Sequence, residues 1–306
     1  EEIINSNIYK YFDERYSKIL HKKFRNIILS KKLKEKYDCE LNFYNNKKTS
    51  VQLTCRYMMY EGKSAILMTV RNTSESRKDL IRAANFQRNS LQRDFQGGKF
   101  FENMCVYVPA YTISGDFYRV NKINDELFIG ILIDVKGKGI SAALNISALE
   151  LMFMEETFTE YEPINIVKNL NRKIAKYYEE NYIAVCCFSI DFLKKEFKIV
   201  GAGINQFMFQ KQGKKAEKKL AEGPFLGMFS DSEFSEKKIQ IQSGDRLFLF
   251  SDGLDFIFDE DEIIKRYMEK VTLNDFKKYI DEYLEDTILD EGKLKDDSTM
   301  IGIEIK

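Results

Sequence analysis

The 306-residue sequence has one histidine, His21, no tryptophan and three prolines. Beyond residue 21 there is no imidazole, which excludes Ser-His-Asp catalysis, Cys-His catalysis and zinc sites built on histidine. His21 itself reads as a surface residue of a helix. The five cysteines, at positions 39, 55, 105, 186 and 187, show no CxxC spacing and no pairing logic, so free thiols in a reducing, cytoplasmic compartment are expected. None of them is followed six positions later by arginine, so a thiolate loop for binding phosphate is missing too. Net charge is also lacking: 48 Lys+Arg balance 48 Asp+Glu, and nothing argues for bulk attraction to nucleic acid or an anionic membrane. The lysine-rich runs at 31–34 and 214–219 read as solvated loops. No stretch approaches 18 consecutive apolar residues, so no membrane span is expected. The chain starts at Glu1 without a signal-like segment, which suggests a piece of a longer protein. Any chemistry here falls to carboxylates and metal ions.

What is present is organised around residues 128–153, FIGILIDVKGKGISAALNISALELMF. Six apolar or small residues lead into Asp134, a turn carries Gly137 and Gly139, and a helical period begins at Ser141. The pattern predicts a buried strand, a tight turn and a capped helix, with the Asp134 carboxylate presented at the strand's end.

Taken in order, residues 14–33 have apolar positions at helical spacing, and DCELNFY, TSVQLTCRYMMYEG and KSAILMTVRN read as three strands with turns at Asn45-Asn46 and Glu61-Gly62-Lys63. Residues 74–95 form a helix whose narrow apolar stripe (Leu80, Ile81, Ala84, Leu91, Phe95) is interrupted by Gln87. It is read as either a coiled-coil switch helix or an ordinary connector. Gly97-Gly98 ends it. From Phe100 onward come eight or more strands and about four helices, including one from Pro163 to Tyr178, strands in hairpins at 182–210 and 236–250, helices over 260–284 and a final strand TMIGIEIK. The strand and helix alternation near Asp134 suggests a doubly wound sheet, and the hairpins argue against an all-parallel one.

Four places set aspartate beside a strand end and a turn: Ser114-Gly115-Asp116, Asp134-Val135, Ser251-Asp252-Gly253 and Asp296-Asp297. Each alone is also what turns and helix caps use. Their repetition, with no histidine to compete, fits an all-oxygen site for Mg²⁺ or Mn²⁺.

Here two resemblances enter. NIYKYFDERY with residues 37–78 is similar to the later part of a PAS sensory domain. VPAYTISGDFYRV, FIGILIDVKGKGISAAL, IVGAGINQFMFQ, EGPFLGMF, SGDRLFLFSDGL and KDDSTMIGIEI, in that order, resemble the metal-dependent Ser/Thr protein phosphatases of the PPM class, bacterial SpoIIE/RsbU branch. AANFQRNSLQ, residues 83–92, looks like the lead-in of that branch, so the likeness covers 84–306. It implies an α+β fold, a PPM-type α/β-β/α sandwich of two antiparallel sheets flanked by helices. A partial PAS-like domain at 1–72 and a linker helix at 73–97 precede the phosphatase domain at 98–306. By position, Asp134 matches the aspartate bridging two metal ions and the carbonyl of Val135 the neighbouring ligand. Asp116 matches the SGD aspartate; Asp252 and Asp296 complete the first metal, with Asp297 as an alternative ligand or a helper.

The resemblance further implies two Mn²⁺ or Mg²⁺ ions, attack by water, a phosphorylated STAS-domain anti-anti-sigma protein as substrate in sigma-factor regulation, and a homodimer joined through the linker helix. A non-catalytic pseudophosphatase that binds a phosphoprotein is the alternative. A nucleotide phosphohydrolase is a third reading, and no stacking or ribose signature supports it. Three positions depart from the branch: Arg119 where Asp is usual, Ile204-Asn205-Gln206 in place of a His-rich turn, and Asp255 where Glu is common. None is an expected metal ligand.

Overall fold

The computed structural model describes residues 6–12, 14–31, 34–43, 47–91, 98–137, 139–177, 183–259, 268–291 and 293–306. The chain divides into two compact units, Glu1–Arg82 and Ala83–Lys306. The turn expected at Asn45-Asn46 and the helix end at Gly97 lie outside the described residues, as does Phe95.

In the first unit, helix α1 (Glu14–Ser30) packs on an antiparallel sheet ordered β1 (Glu35–Phe43), β2 (Lys47–Tyr60), β3 (Lys63–Asn72). Alternate residues of β1 and β2 (Cys39, Leu41, Val51, Leu53, Cys55) face Leu20, Phe24 and Ile27 of the helix and make a small core. Between β2 and β3 only Glu61 and Gly62 remain, both at positive φ, as a two-residue hairpin requires. His21 is exposed on α1, beside the ring of Tyr9.

Helix α2 (Ser74–Leu91) runs across the division between the units. The second unit then holds β4 (Phe101–Val108), β5 (Asp116–Lys122), β6 (Leu127–Val135), α3 (Ile140–Glu156), α4 (Pro163–Tyr177), β7 (Ile183–Asp191), β8 (Glu196–Ala202), β9 (Gln206–Gln210), β10 (Ala216–Leu220), β11 (Lys237–Gln240), β12 (Arg246–Phe250), a short α5 (Phe256–Asp259), α6 (Leu273–Glu291) and β13 (Ser298–Ile305). Two five-stranded sheets result, ordered β10-β9-β12-β13-β4 and β11-β8-β7-β6-β5, and every neighbouring pair is antiparallel.

Strand periodicity explains the layers. In β12, Leu247 and Leu249 point into the core between the sheets, while Phe248 and Phe250 point the other way, onto Phe276 and Ile280 of α6. Strand β6 is apolar on both faces because its sheet lies between the β10-β9-β12-β13-β4 sheet and helices α3 and α4, which contribute Ile146, Leu149, Phe153, Val167 and Leu170. The order is helices, sheet, sheet, helix: the expected α+β sandwich, not a doubly wound parallel sheet.

Three local expectations are corrected. The hairpin at 236–250 does not form, since β11 pairs with β8 in one sheet and β12 with β9 and β13 in the other. Of the three strands in 183–210, β7 and β8 are a hairpin, whereas β9 has crossed to the opposite sheet after Gly203, whose φ of 99° turns the chain. The lysine-rich run at 214–219 contains edge strand β10 rather than only loop, and its lysines are where an edge needs them to repel further pairing. Helix α3 starts at Ile140 with Gly139 as N-cap and no side-chain cap, so the expected capped start is a backbone one.

Candidate metal centre

Strand β6 delivers Asp134 opposite Asp116 of β5, the two residues being direct partners in the antiparallel register. Like charges placed so repel. Asp116 is 1% exposed; burial, then the Asp134 charge, hold its carboxyl well above the usual range. Asp134 is pushed up to about 7, first by burial and then by Asp252, Asp296 and Asp297. Asp134, Val135, Asp252, Asp296 and Asp297 line one cavity of about 310 Å³, with Ala184 and Phe225 on its apolar side. The structure therefore gathers every predicted site residue in one region: five at the cavity and Asp116 beside Asp134 on the neighbouring strand.

Two glycines permit this convergence. A Cβ on Gly115 would stand 2.6 Å from the Val135 carbonyl oxygen, and one on Gly253 2.0 Å from that of Asp297. Only hydrogen fits at either place, so the SGD and SDG turns can press against the strands that carry the other carboxylates.

Asp296 and Asp297 behave differently. Asp297 is buried, and its two oxygens accept the backbone N–H groups of Ala110 at 2.7 Å and Gly115 at 2.6 Å. Asp296 is exposed to the cavity and accepts the N–H of Asp297 at 2.9 Å. Asp116 accepts the Ser251 hydroxyl at 2.6 Å, and Ser251 in turn accepts the Thr299 N–H at 3.1 Å. No three acidic, histidine or cysteine side chains among the described residues close into a ligand cage. The carboxylates nonetheless share one cavity. Their chemistry still suits a hard divalent cation: oxygen donors only, with the charge of each raising the cost of ionising the next. A thiolate nucleophile is excluded nearby, since burial pushes the Cys186 thiol up to about 12.

Sequence reasoning missed two supporting residues. Gln87, the break in the α2 stripe, is 6% exposed; its Nε2 donates to the Ser114 carbonyl at 3.0 Å and its Oε1 accepts the Ser114 N–H at 3.3 Å. Asn171 of α4 accepts the Gly227 N–H at 2.8 Å and donates to the Phe229 carbonyl at 2.8 Å, holding the loop that brings Phe225 to the cavity. A polar residue at a helix position that periodicity marks for burial is the one signal available for either. Of the departing positions, Arg119 pairs with Glu150 of α3 at 2.5 Å, away from the carboxylates. Asn205 donates to the Gly223 carbonyl at 3.1 Å.

Residues 125–306 match the family model described as Stage II sporulation protein E (SpoIIE). The chain belongs to the SpoIIE family. It is 27% identical over 212 residues to phosphoserine phosphatase RsbU of Bacillus subtilis (strain 168), a match covering 69% of this chain and 61% of that protein. To phosphoserine phosphatase RsbP of the same organism it is 26% identical over 184 residues, covering 58% of this chain and 45% of RsbP. The chain thus spans roughly half of the length of these relatives. The crystal structure of RsbX in complex with magnesium has the same fold, with a TM-score of 0.55 at 15% identity, covering 70% of this chain and 99% of RsbX. The SpoIIE-family unit has the fold of solved PP2C phosphatase domains. No helix among the described residues is long and apolar enough to cross a membrane.

Proposed function

We propose that this chain is a divalent-metal-dependent phosphoserine/phosphothreonine protein phosphatase whose activity is set by its N-terminal unit. The observation that carries the reading is the convergence, in one cavity, of aspartates from segments as far apart as 134, 252 and 296. A fold alone would not support it; a carboxylate site on a family that includes named phosphoserine phosphatases does.

In this reading Asp134 and the Val135 carbonyl would hold a pair of Mn²⁺ or Mg²⁺ ions, with Asp252 and Asp296 completing the set. The pair supplies Lewis-acid charge to the phosphoryl oxygens and a water acidified toward neutrality. The chain's own residues do the positioning. Ser251 fixes Asp116 beside Asp134. Asp297 ties Ala110 and Gly115 to the strand end that presents Asp296. Phe225 and Ala184 make one wall apolar, which strengthens every charge interaction inside. No protein nucleophile is needed, in keeping with a chain whose single histidine is at position 21.

The substrate we assign is a phosphorylated STAS-domain anti-anti-sigma protein, in partner-switching signalling in the cytoplasm. The first unit is read as the later part of a PAS-like sensor, and the active form as a homodimer joined through α2. Hydrolysis of p-nitrophenyl phosphate with and without Mn²⁺, beside Asp134→Ala and Asp252→Ala, tests the core of the reading. Turnover that needs Mn²⁺ and is lost in both variants is expected. Metal binding without turnover, on this ester and on a phosphorylated STAS protein alike, would make the chain a non-catalytic phosphoprotein-binding module instead.

A further inference from the structure

Lys136 stands in the carboxylate cavity, and no role has been given to it above. It lines the same cavity as Asp134, Asp252, Asp296 and Asp297, and among the described residues it is the one cationic side chain that does so. Strand β6 ends at Val135, so Lys136 leaves the strand on the same side as Asp134, two residues earlier. The next residue, Gly137, has a φ of 119° and lines the same cavity. Its side chain is exposed, and a flexible four-carbon stem carries the ammonium.

The charge of the site says what such a lysine is for. Two divalent cations would do no more than neutralise the four lining carboxylates, which would leave nothing to offset a phosphomonoester dianion as it enters, with Asp116 on the strand beside Asp134. An ammonium lining the cavity supplies that charge without occupying a metal-ligand position. Lysine binds phosphate as a point charge, and a charge-assisted hydrogen bond to a phosphoryl oxygen is among the stronger single contacts available.

We infer that Lys136 binds the phosphoryl group of the substrate, and of the phosphate product, in the metal cavity. The inference rests on the phosphatase reading and adds to it a residue of the chain that touches substrate. Its contribution is to affinity for the dianion, not to holding metal.

The test compares the parent with Lys136→Met, Lys136→Gln and Lys136→Arg, all loaded with Mn²⁺. Loss of one such contact predicts a rise of about 10- to 100-fold in KM for p-nitrophenyl phosphate and in the inhibition constant of inorganic phosphate for the Met and Gln variants. Arginine should restore most of the loss, and calorimetric Mn²⁺ affinity should be unchanged or tighter, because a cation has been taken away from the ions. Unchanged KM and phosphate inhibition would overturn the inference, as would a fall in Mn²⁺ affinity large enough to account for the lost activity. If the parent proves inactive on p-nitrophenyl phosphate and on a phosphorylated STAS protein alike, the phosphatase reading fails by itself, and calorimetric titration of inorganic phosphate into the Mn²⁺-loaded parent and Lys136→Met still decides: equal affinities sink the role assigned to the lysine. Two neutral replacements guard against one that does not fold.

Discussion

Asp296 and Asp297 are neighbours with opposite jobs. Both oxygens of Asp297 are committed to backbone N–H groups, and replacing it by alanine orphans them, at about 2–4 kcal/mol of stability. Asp296 is exposed, and the backbone bond it accepts comes from the adjacent residue. Asp297→Ala should therefore lower the melting temperature in the presence of a chelator, whereas Asp296→Ala should leave it nearly in place and abolish Mn²⁺-dependent turnover. Equal melting temperatures would contradict this division. Asp134 adds a pH signature. Its carboxyl ordinarily titrates at 3.8 and is pushed up to about 7 in the fold, so the fold prefers it protonated. That preference is fully present below pH ~4 and is lost as pH rises through ~7. Thermal melts in chelator should show the parent losing stability from pH 5 to pH 8 by more than Asp134→Asn does. The gap at pH 8 should close on adding Mn²⁺, which offsets the repulsion. A gap of constant size across that range would mean the Asp134 carboxyl is not raised.

At the scale of the element, helix α2 shows why part of the site was hidden in the sequence. The aspartates were legible because each announces itself locally: an apolar strand, an acid, a turn glycine. Gln87 was not, because its partner, Ser114, is 27 residues away and a glutamine in a helical stripe reads as an interruption of packing. Here it is the packing. Its amide satisfies both backbone groups of the residue whose hydroxyl accepts the Asp116 N–H at 3.0 Å. Gln87→Leu keeps the shape and removes both bonds, so a loss of about 2–3 kcal/mol by denaturant unfolding is expected, with weaker Mn²⁺ binding by calorimetry. If stability falls and Mn²⁺ affinity does not, the clamp supports the fold alone. The sheet-switching strands were hidden for a related reason. Local pattern identifies β8, β9, β11 and β12 as strands, but which sheet each joins depends on partners distant in sequence, as with β4 and β13 at opposite ends of the unit. The order of motifs, through the family likeness, supplied what periodicity could not.

For the whole molecule, the boundary between the two units is a matter of cores, not of composition. Glycines at 97 and 98 invite a division there, with residues 98–306 as an independent domain. The buried side chains say otherwise. Ala84, Gln87 and Leu91 of α2 are buried, Leu91 in the same cluster as β6, and Ser90 donates to both oxygens of Glu150 on α3 at 2.9 and 3.1 Å. The earlier turns of the same helix belong to the first unit, where Arg77 donates to the Ser50 hydroxyl at 2.9 Å. Two truncations separate the possibilities. A chain of residues 73–306 keeps the whole of α2 and should fold cooperatively, bind Mn²⁺ and hydrolyse p-nitrophenyl phosphate. A chain of residues 98–306 loses Leu91 from the core and leaves the Ser114 N–H and carbonyl and the Glu150 carboxylate without their α2 partners. It should be several kcal/mol less stable and largely inactive. Equal stability and turnover for the two would place the end of the enzyme at the glycines and reduce α2 to a connector.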